Sequence, residues 1–132
     1  MKIVLLIGLG SALGGMSRYA VSHWSALAWG TGFPWGTLKV NVLGSFIIGL
    51  VFYLSAPEGR WDMEPAWRQM ILVGFCGGFT TFSTFSFQLL QQIREGEYGY
   101  ALINVGASVL LCLLAVFLGM LAAKWVHNGL PA

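Results

Sequence analysis

Gly74-Phe75-Cys76-Gly77-Gly78-Phe79-Thr80-Thr81-Phe82-Ser83-Thr84-Phe85-Ser86-Phe87 is the stretch on which the fold turns. It lies inside an apolar run from about Ala66 to Ile93, and a bilayer is crossed by about 20 such residues at about 1.5 Å of rise each. Gly77-Gly78 followed by Thr80-Thr81 is poor helix material, so the sequence predicts a span that breaks in mid-membrane. A break there frees backbone carbonyls, and irregular backbone at that depth is tolerated only where it is buried or lines a polar site. Two readings follow. Either the carbonyls hold a small hard cation such as Na⁺, or threonine hydroxyls satisfy a plain glycine kink.

Working outward, the 132 residues are 57% hydrophobic and 9% charged, with a mean hydropathy of +0.74. Soluble domains average about 25% charged residues, so most of this chain's surface calls for lipid. Every carboxylate falls in one of two short segments, Glu58, Asp62 and Glu64 or Glu95 and Glu97. Charges and Gly/Pro turns then cut residues 1–132 into one all-α domain of four transmembrane helices, at about 3–28, 37–56, 66–93 and 100–126. Lys2 and the apolar run after it resemble a leader, but Gly8, Gly10, Gly14, Gly15 and Arg18 interrupt that run, which is read as a spanning segment. The net charge of +2 is too small and scattered for nucleic acid. Cys76, Cys112, His23 and His127 have no metal spacing.

Even span number puts both termini on one side. Lys2, Arg60, Arg68 and Lys124 fall on that side and Lys39, Arg94 and Arg18 on the other, which is almost no bias. Such a chain either inserts both ways up, giving an antiparallel homodimer, or adopts one orientation with cytoplasmic termini. The 18 glycines, against an average usage of about 7%, fit close helix packing in lipid. Gly8, Ser11, Gly15, Arg18 and Ser22 make one small, polar face on the first helix, and Gly44 and Gly49 thin the second.

Neutral polarity runs through the spans. Phe82 and Phe85 share a helical face beside hydroxyls at Thr80, Ser83 and Thr84, and a phenyl edge is electropositive enough to attract an anion. Thr37, Asn41 and Ser45 form a stripe on the second helix; Asn104, Ser108 and Cys112 form one on the fourth. The asparagines either donate into a path or act as interhelical glue. No stripe contains Asp or Glu, whereas proton-coupled carriers and cation pathways usually need an intramembrane carboxylate. Arg18, the one strong charge well inside a span, either draws anions into a vestibule or snorkels to the interface.

These motifs resemble the Fluc/CrcB family of small fluoride channels along essentially the whole chain. The matching elements are Gly14-Gly15-Met16-Ser17-Arg18-Tyr19, Gly36-Thr37-Leu38-Lys39-Val40-Asn41 with Gly44, the Gly74–Phe85 stretch, and Asn104-Val105. The resemblance implies a channel rather than an enzyme, with no catalytic residues: an antiparallel, dual-topology homodimer in the bacterial inner membrane. It further implies two passive, selective fluoride pathways that lower cytoplasmic fluoride. One structural Na⁺ at the dimer axis is implied, held by backbone carbonyls that map to Gly77 and Thr80 of both subunits. The implied pathway residues are Asn41, Phe82, Phe85, Ser83, Thr84 and Ser108, with Arg18 at a vestibule. Gln88 stands where family members often place a carboxylate. Two other classes share parts of the pattern. A small multidrug-type proton-coupled exporter lacks support because the first helix has no glutamate, and a non-transporting membrane assembly protein would need only the glycine-rich helices.

Overall fold

The computed structural model describes residues 1–57 and 59–129; Glu58, assigned above to the charged loop, lies outside the described residues. The helices are α1 (Lys2–Trp29), α2 (Trp35–Leu54), α3 (Pro65–Gln69), a π-helical segment (Met70–Phe75), α4 (Cys76–Phe79), α5 (Phe82–Arg94) and α6 (Tyr98–Gly129). The third span is thus the composite Pro65–Arg94, and with α1, α2 and α6 it makes four helices long and apolar enough to cross a membrane. The shortest, α2, has 20 residues, about the 30 Å of a hydrocarbon core.

Local chemistry sets the ends. Gly30 closes α1 with φ 75°, its N–H donating to the Ala26 carbonyl, a left-handed turn that glycine adopts without penalty. Pro34 precedes α2 and Pro65 opens α3, where a missing N–H costs nothing. At one end of the bundle Lys2 pairs with Glu64 at 2.7 Å. Arg68 donates to Ser55 Oγ at 3.1 Å there.

Packing inside the chain runs through glycine. α1 lies against the π segment and α4, and α2 lies along α6. A Cβ at Gly10 would overlap the Met70 carbonyl and one at Gly14 the Phe75 carbonyl. Reciprocally, a Cβ at Gly74 would sit 2.7 Å from the Ile7 carbonyl and one at Gly78 2.5 Å from that of Ser11. Two small-xxx-small pairs therefore interlock backbone on backbone, as helices do where lipid removes the hydrophobic drive. Gly49 meets the Val116 carbonyl and Gly119 that of Phe46 in the same way across α2 and α6. On α1 the tightly packed glycines are Gly10 and Gly14; a Cβ at Gly8 or Gly15 would meet nothing within 4 Å. Of the face expected from Gly8, Ser11, Gly15, Arg18 and Ser22, Ser11 and Ser22 pack against Gly78 and Gly36, whereas Gly8 and Gly15 are open because the tight glycine contact falls on the neighbouring Gly10–Gly14 row. Large apolar side chains such as Leu5, Leu110 and Phe117 point outward, the inversion of a soluble surface.

Candidate functional site

The helix stops at Phe79 and restarts at Phe82, with Thr80 (φ −86°, ψ 161°) and Thr81 (φ −153°, ψ 116°) extended between them. The N–H and hydroxyl groups of Thr80 and Thr81 have traceable destinations. Thr80 turns back, its N–H and Oγ1 donating to the Cys76 carbonyl at 2.9 and 2.8 Å. Thr81 caps α5, its Oγ1 accepting from the Thr84 N–H at 3.2 Å, a contact of about 1 kcal/mol for such caps. Asn41, from α2, supplies what the backbone lacks: its Nδ2 donates to the Thr81 carbonyl at 3.1 Å and its Oδ1 accepts the Thr81 N–H at 2.7 Å. Gly44, one turn along α2, leaves room for Thr80, whose Cγ2 a Cβ there would overlap.

The carbonyls of Gly77, Gly78, Phe79 and Thr80 all lose their helical donors at this gap, and for the first and last of them the structure shows where the donor goes. An uninterrupted helix would pair the Gly77 carbonyl with the Thr81 N–H and the Thr80 carbonyl with the Thr84 N–H. Asn41 Oδ1 takes the first of those donors and Thr81 Oγ1 the second. Among the described residues no three His, Cys, Asp or Glu side chains gather around a point, and carbonyl oxygen is the donor that a hard monovalent cation accepts. Gly77 is also exposed on the single chain.

Two hollows flank the break. An open groove of about 640 Å³ is lined mostly by apolar side chains, Ile48, Leu72, Val73 and Leu113 among them, with Asn41, Ser45, Thr81 and Ser108 as its polar groups, Phe82 and Phe85 at its wall, and no charged residue. Phe82 and Phe85 stand 5.6 Å apart between ring centroids, tilted by 46°; Phe85 is 7% exposed and Phe82 79%. A second hollow, of about 310 Å³, lies under the turn between α1 and α2 and is lined by Thr37, Thr84, Gln88 and Gln92, with Glu95 and Glu97 also at its wall. Of the two hydroxyls expected together on the path, Thr84 lines this second hollow, and Ser83 lines neither but lies 3.4 Å from the Thr81 hydroxyl.

Ser108 lines the groove but is 7% exposed, and its hydroxyl donates to Asn104 Oδ1 at 3.3 Å. Asn104 in turn donates to Gln92 Oε1 at 3.1 Å, joining α6 to α5. This is the interhelical role left open for Asn104 in the sequence. Gln92 is the residue that reading the sequence missed; its spacing of four from Gln88 is the signal that marked stripes on the other helices. Arg18 is half-buried and, among the described residues, has no hydrogen-bond or ion-pair partner. Lys39 lies 3.0 Å from the centroid of the Trp29 ring and 3.4 Å from Ser25 Oγ, a cation–π contact that turns it away from the groove.

Four membrane-length helices around a charge-free, mostly apolar groove that holds a few amide and hydroxyl groups define a multi-pass membrane protein. Comparison with known proteins takes this further. The family model described as CrcB-like protein, Camphor Resistance (CrcB), matches residues 5–120, and the chain belongs to that family. It is 51% identical over 128 residues to the fluoride-specific ion channel FluC of Opitutus terrae, covering 97% of each chain. It is 50% identical to the protein of that name from Paramagnetospirillum magneticum, over 93% of this chain and 96% of that one. With the Rhodospirillum rubrum protein of the same name it shares 45% identity, over 95% and 97%.

Proposed function

We propose that this chain forms a passive fluoride-selective channel in the bacterial inner membrane, working as an antiparallel homodimer with two pathways. The cargo follows from the name its relatives carry; the observation that bears on mechanism is the groove beside the break, in which an amide, hydroxyls and two phenyl rings stand among aliphatic side chains with no charge. Fluoride is small and holds its water tightly, so a path for it must replace that water with closely spaced donors. Each site must also bind weakly enough to release the ion. Neutral donors and the positive edges of Phe82 and Phe85 meet both demands, whereas fixed cations would hold the anion. A proton-coupled exporter would need a carboxylate in this groove.

The dimer reading draws on two surfaces that a single chain leaves open. Phe82 projects outward, and Gly77 is uncovered beside the groove; a second copy would close the groove over both. The near-balanced basic residues at the two ends remove the usual preference for one orientation. The break would then lie at membrane depth, with the Gly77 and Thr80 carbonyls of both subunits holding a structural Na⁺. That ion would supply a fixed positive charge to which the freed carbonyl dipoles align. In the chain itself, Asn41 holds Thr81 extended and thereby keeps the carbonyls out of the helix. Arg18, half-buried and without a partner among the described residues, would attract anions toward a vestibule.

Purified protein in liposomes tests the reading. Fluoride efflux that is fast, independent of a proton gradient and blind to chloride is expected; a correctly folded dimer that passes no fluoride would sink the channel. Phe82→Ile should slow fluoride flux about 2- to 13-fold, as the loss of a ring interaction of about 0.5–1.5 kcal/mol implies, while dimers persist on size-exclusion chromatography. Unchanged flux would take the ring off the path. Activity is further expected to fade slowly in Na⁺-free solution and return when Na⁺ is restored. Full activity after exhaustive Na⁺ exchange would argue against a required ion.

A further inference from the structure

Between the two hollows runs a chain of neutral hydrogen bonds that the sequence did not announce. Ser108 lines the groove, Gln92 lines the second hollow, and Asn104, 1% exposed, lies between them and lines neither. As drawn, every donor points one way: the Ser108 hydroxyl to Asn104 Oδ1 at 3.3 Å, and Asn104 Nδ2 to Gln92 Oε1 at 3.1 Å. The last donor, Gln92 Nε2, is buried and, among the described residues, has no partner. In this direction Ser108 spends its one hydrogen inside the protein and turns only lone pairs to the groove.

An amide presents its oxygen and its NH₂ at nearly the same distance, so a half turn of both amides reverses the chain without moving the backbone. Gln92 then donates to Asn104, Asn104 donates to the Ser108 oxygen, and the Ser108 hydrogen is released toward the groove. We propose that Gln92, Asn104 and Ser108 form a reversible hydrogen-bond relay. It makes either the groove end or the Gln92 end a donor for the anion, but not both at once. The inference rests on the fluoride-channel reading. Asn104 and Gln92 act as positioning residues through Ser108. An anion accepting from Ser108 sets the relay one way; an anion accepting from Gln92 sets it the other, so occupancy at one end weakens binding at the other. No proton leaves any residue and no charge is introduced, which fits a path that must not hold its ion.

Gln92→Glu and Gln92→Met separate this relay from a plain structural tie. A carboxylate only accepts, so Gln92→Glu fixes Asn104 as donor toward it and keeps the Ser108 hydrogen turned inward. Fluoride flux in liposomes is expected to fall about tenfold, the order expected when a hydrogen bond to an anion is lost. Gln92→Met leaves Asn104 free to turn toward Ser108 and should slow flux less. A structural tie predicts the opposite order, since glutamate keeps the bond from Asn104 and methionine leaves that amide unpaired. Repulsion of fluoride by the new charge is told apart with Ser108→Ala. If the lock acts through the serine, Ser108→Ala and Gln92→Glu together cost about as much as either alone, not the product of the two. Multiplicative losses, wild-type flux in Gln92→Glu, or greater harm from Gln92→Met overturns the relay. If Gln92→Glu does not assemble, the comparison of Gln92→Met with wild type decides: a loss beyond about tenfold restores the structural tie, and a smaller one supports the relay. A wild-type protein that passes no fluoride overturns the channel reading itself, which keeps the two failures distinct.

Discussion

Asn41→Leu is expected to abolish most fluoride flux, by about 100-fold or more. Leucine fills a similar volume but leaves the Thr81 N–H and carbonyl without the partners they have at 2.7 and 3.1 Å. Thr81 is 7% exposed, so water does not simply replace them, and an unmade buried hydrogen bond costs about 1–3 kcal/mol. Two such losses, at about 1.4 kcal/mol per tenfold in rate, account for the size of the effect. The Thr81 cap on α5 still holds the segment extended in the variant, so both backbone groups stay unpaired. Hydrogen exchange supplies a readout that loss of an anion donor alone would not move: the Thr81 amide should be protected in the wild type and exchange freely in the variant. Protection retained together with lost flux would assign Asn41 to contact with the anion rather than to holding the backbone.

Gly14→Ala is expected to be strongly damaging for a single methyl. The added carbon would overlap the Phe75 carbonyl and approach the Phe79 nitrogen at 2.8 Å, and both are backbone atoms that cannot swing aside. Overpacking commonly costs about 1–3 kcal/mol where side chains give way; here α1 and α4 must separate, so about 3 kcal/mol or more is expected, with little assembled protein recovered from detergent. Gly15→Ala, whose Cβ meets nothing within 4 Å among the described residues, should leave the fold of the single chain within about 0.5 kcal/mol. Thermal unfolding in detergent compares the two, and equal midpoints would refute the interlocked-glycine account.

Much of this protein is legible without coordinates, for reasons that differ along the chain. The four long helices follow from apolar runs bounded by Pro34, Pro65, Gly30 and the charged turns, since lipid leaves the backbone few alternatives. The discontinuity at Thr80 and Thr81 is foreshadowed by Gly77-Gly78 and the threonine pair. Less legible is how its polar groups are satisfied. Asn41 appears in the sequence as one member of a donor stripe, and its spacing from Thr37 and Ser45 says nothing of a partner forty positions away. On α1, spacing alone makes the Gly8–Gly15 row as good a contact face as Gly10 and Gly14, and only the neighbouring helix chooses between them.

Composition and periodicity by themselves determined the solvent, the number of spans and the neutrality of the polarity inside them, because each reflects a cost that every residue meets separately in lipid. Tertiary structure alone decided that Asn41 replaces the backbone partners of Thr81, and that Ser108, Asn104 and Gln92 join two hollows. Hydrogen bonds are short and directional, and which groups come within 3 Å depends on how α2, α5 and α6 are set against one another. No local pattern of residues records that.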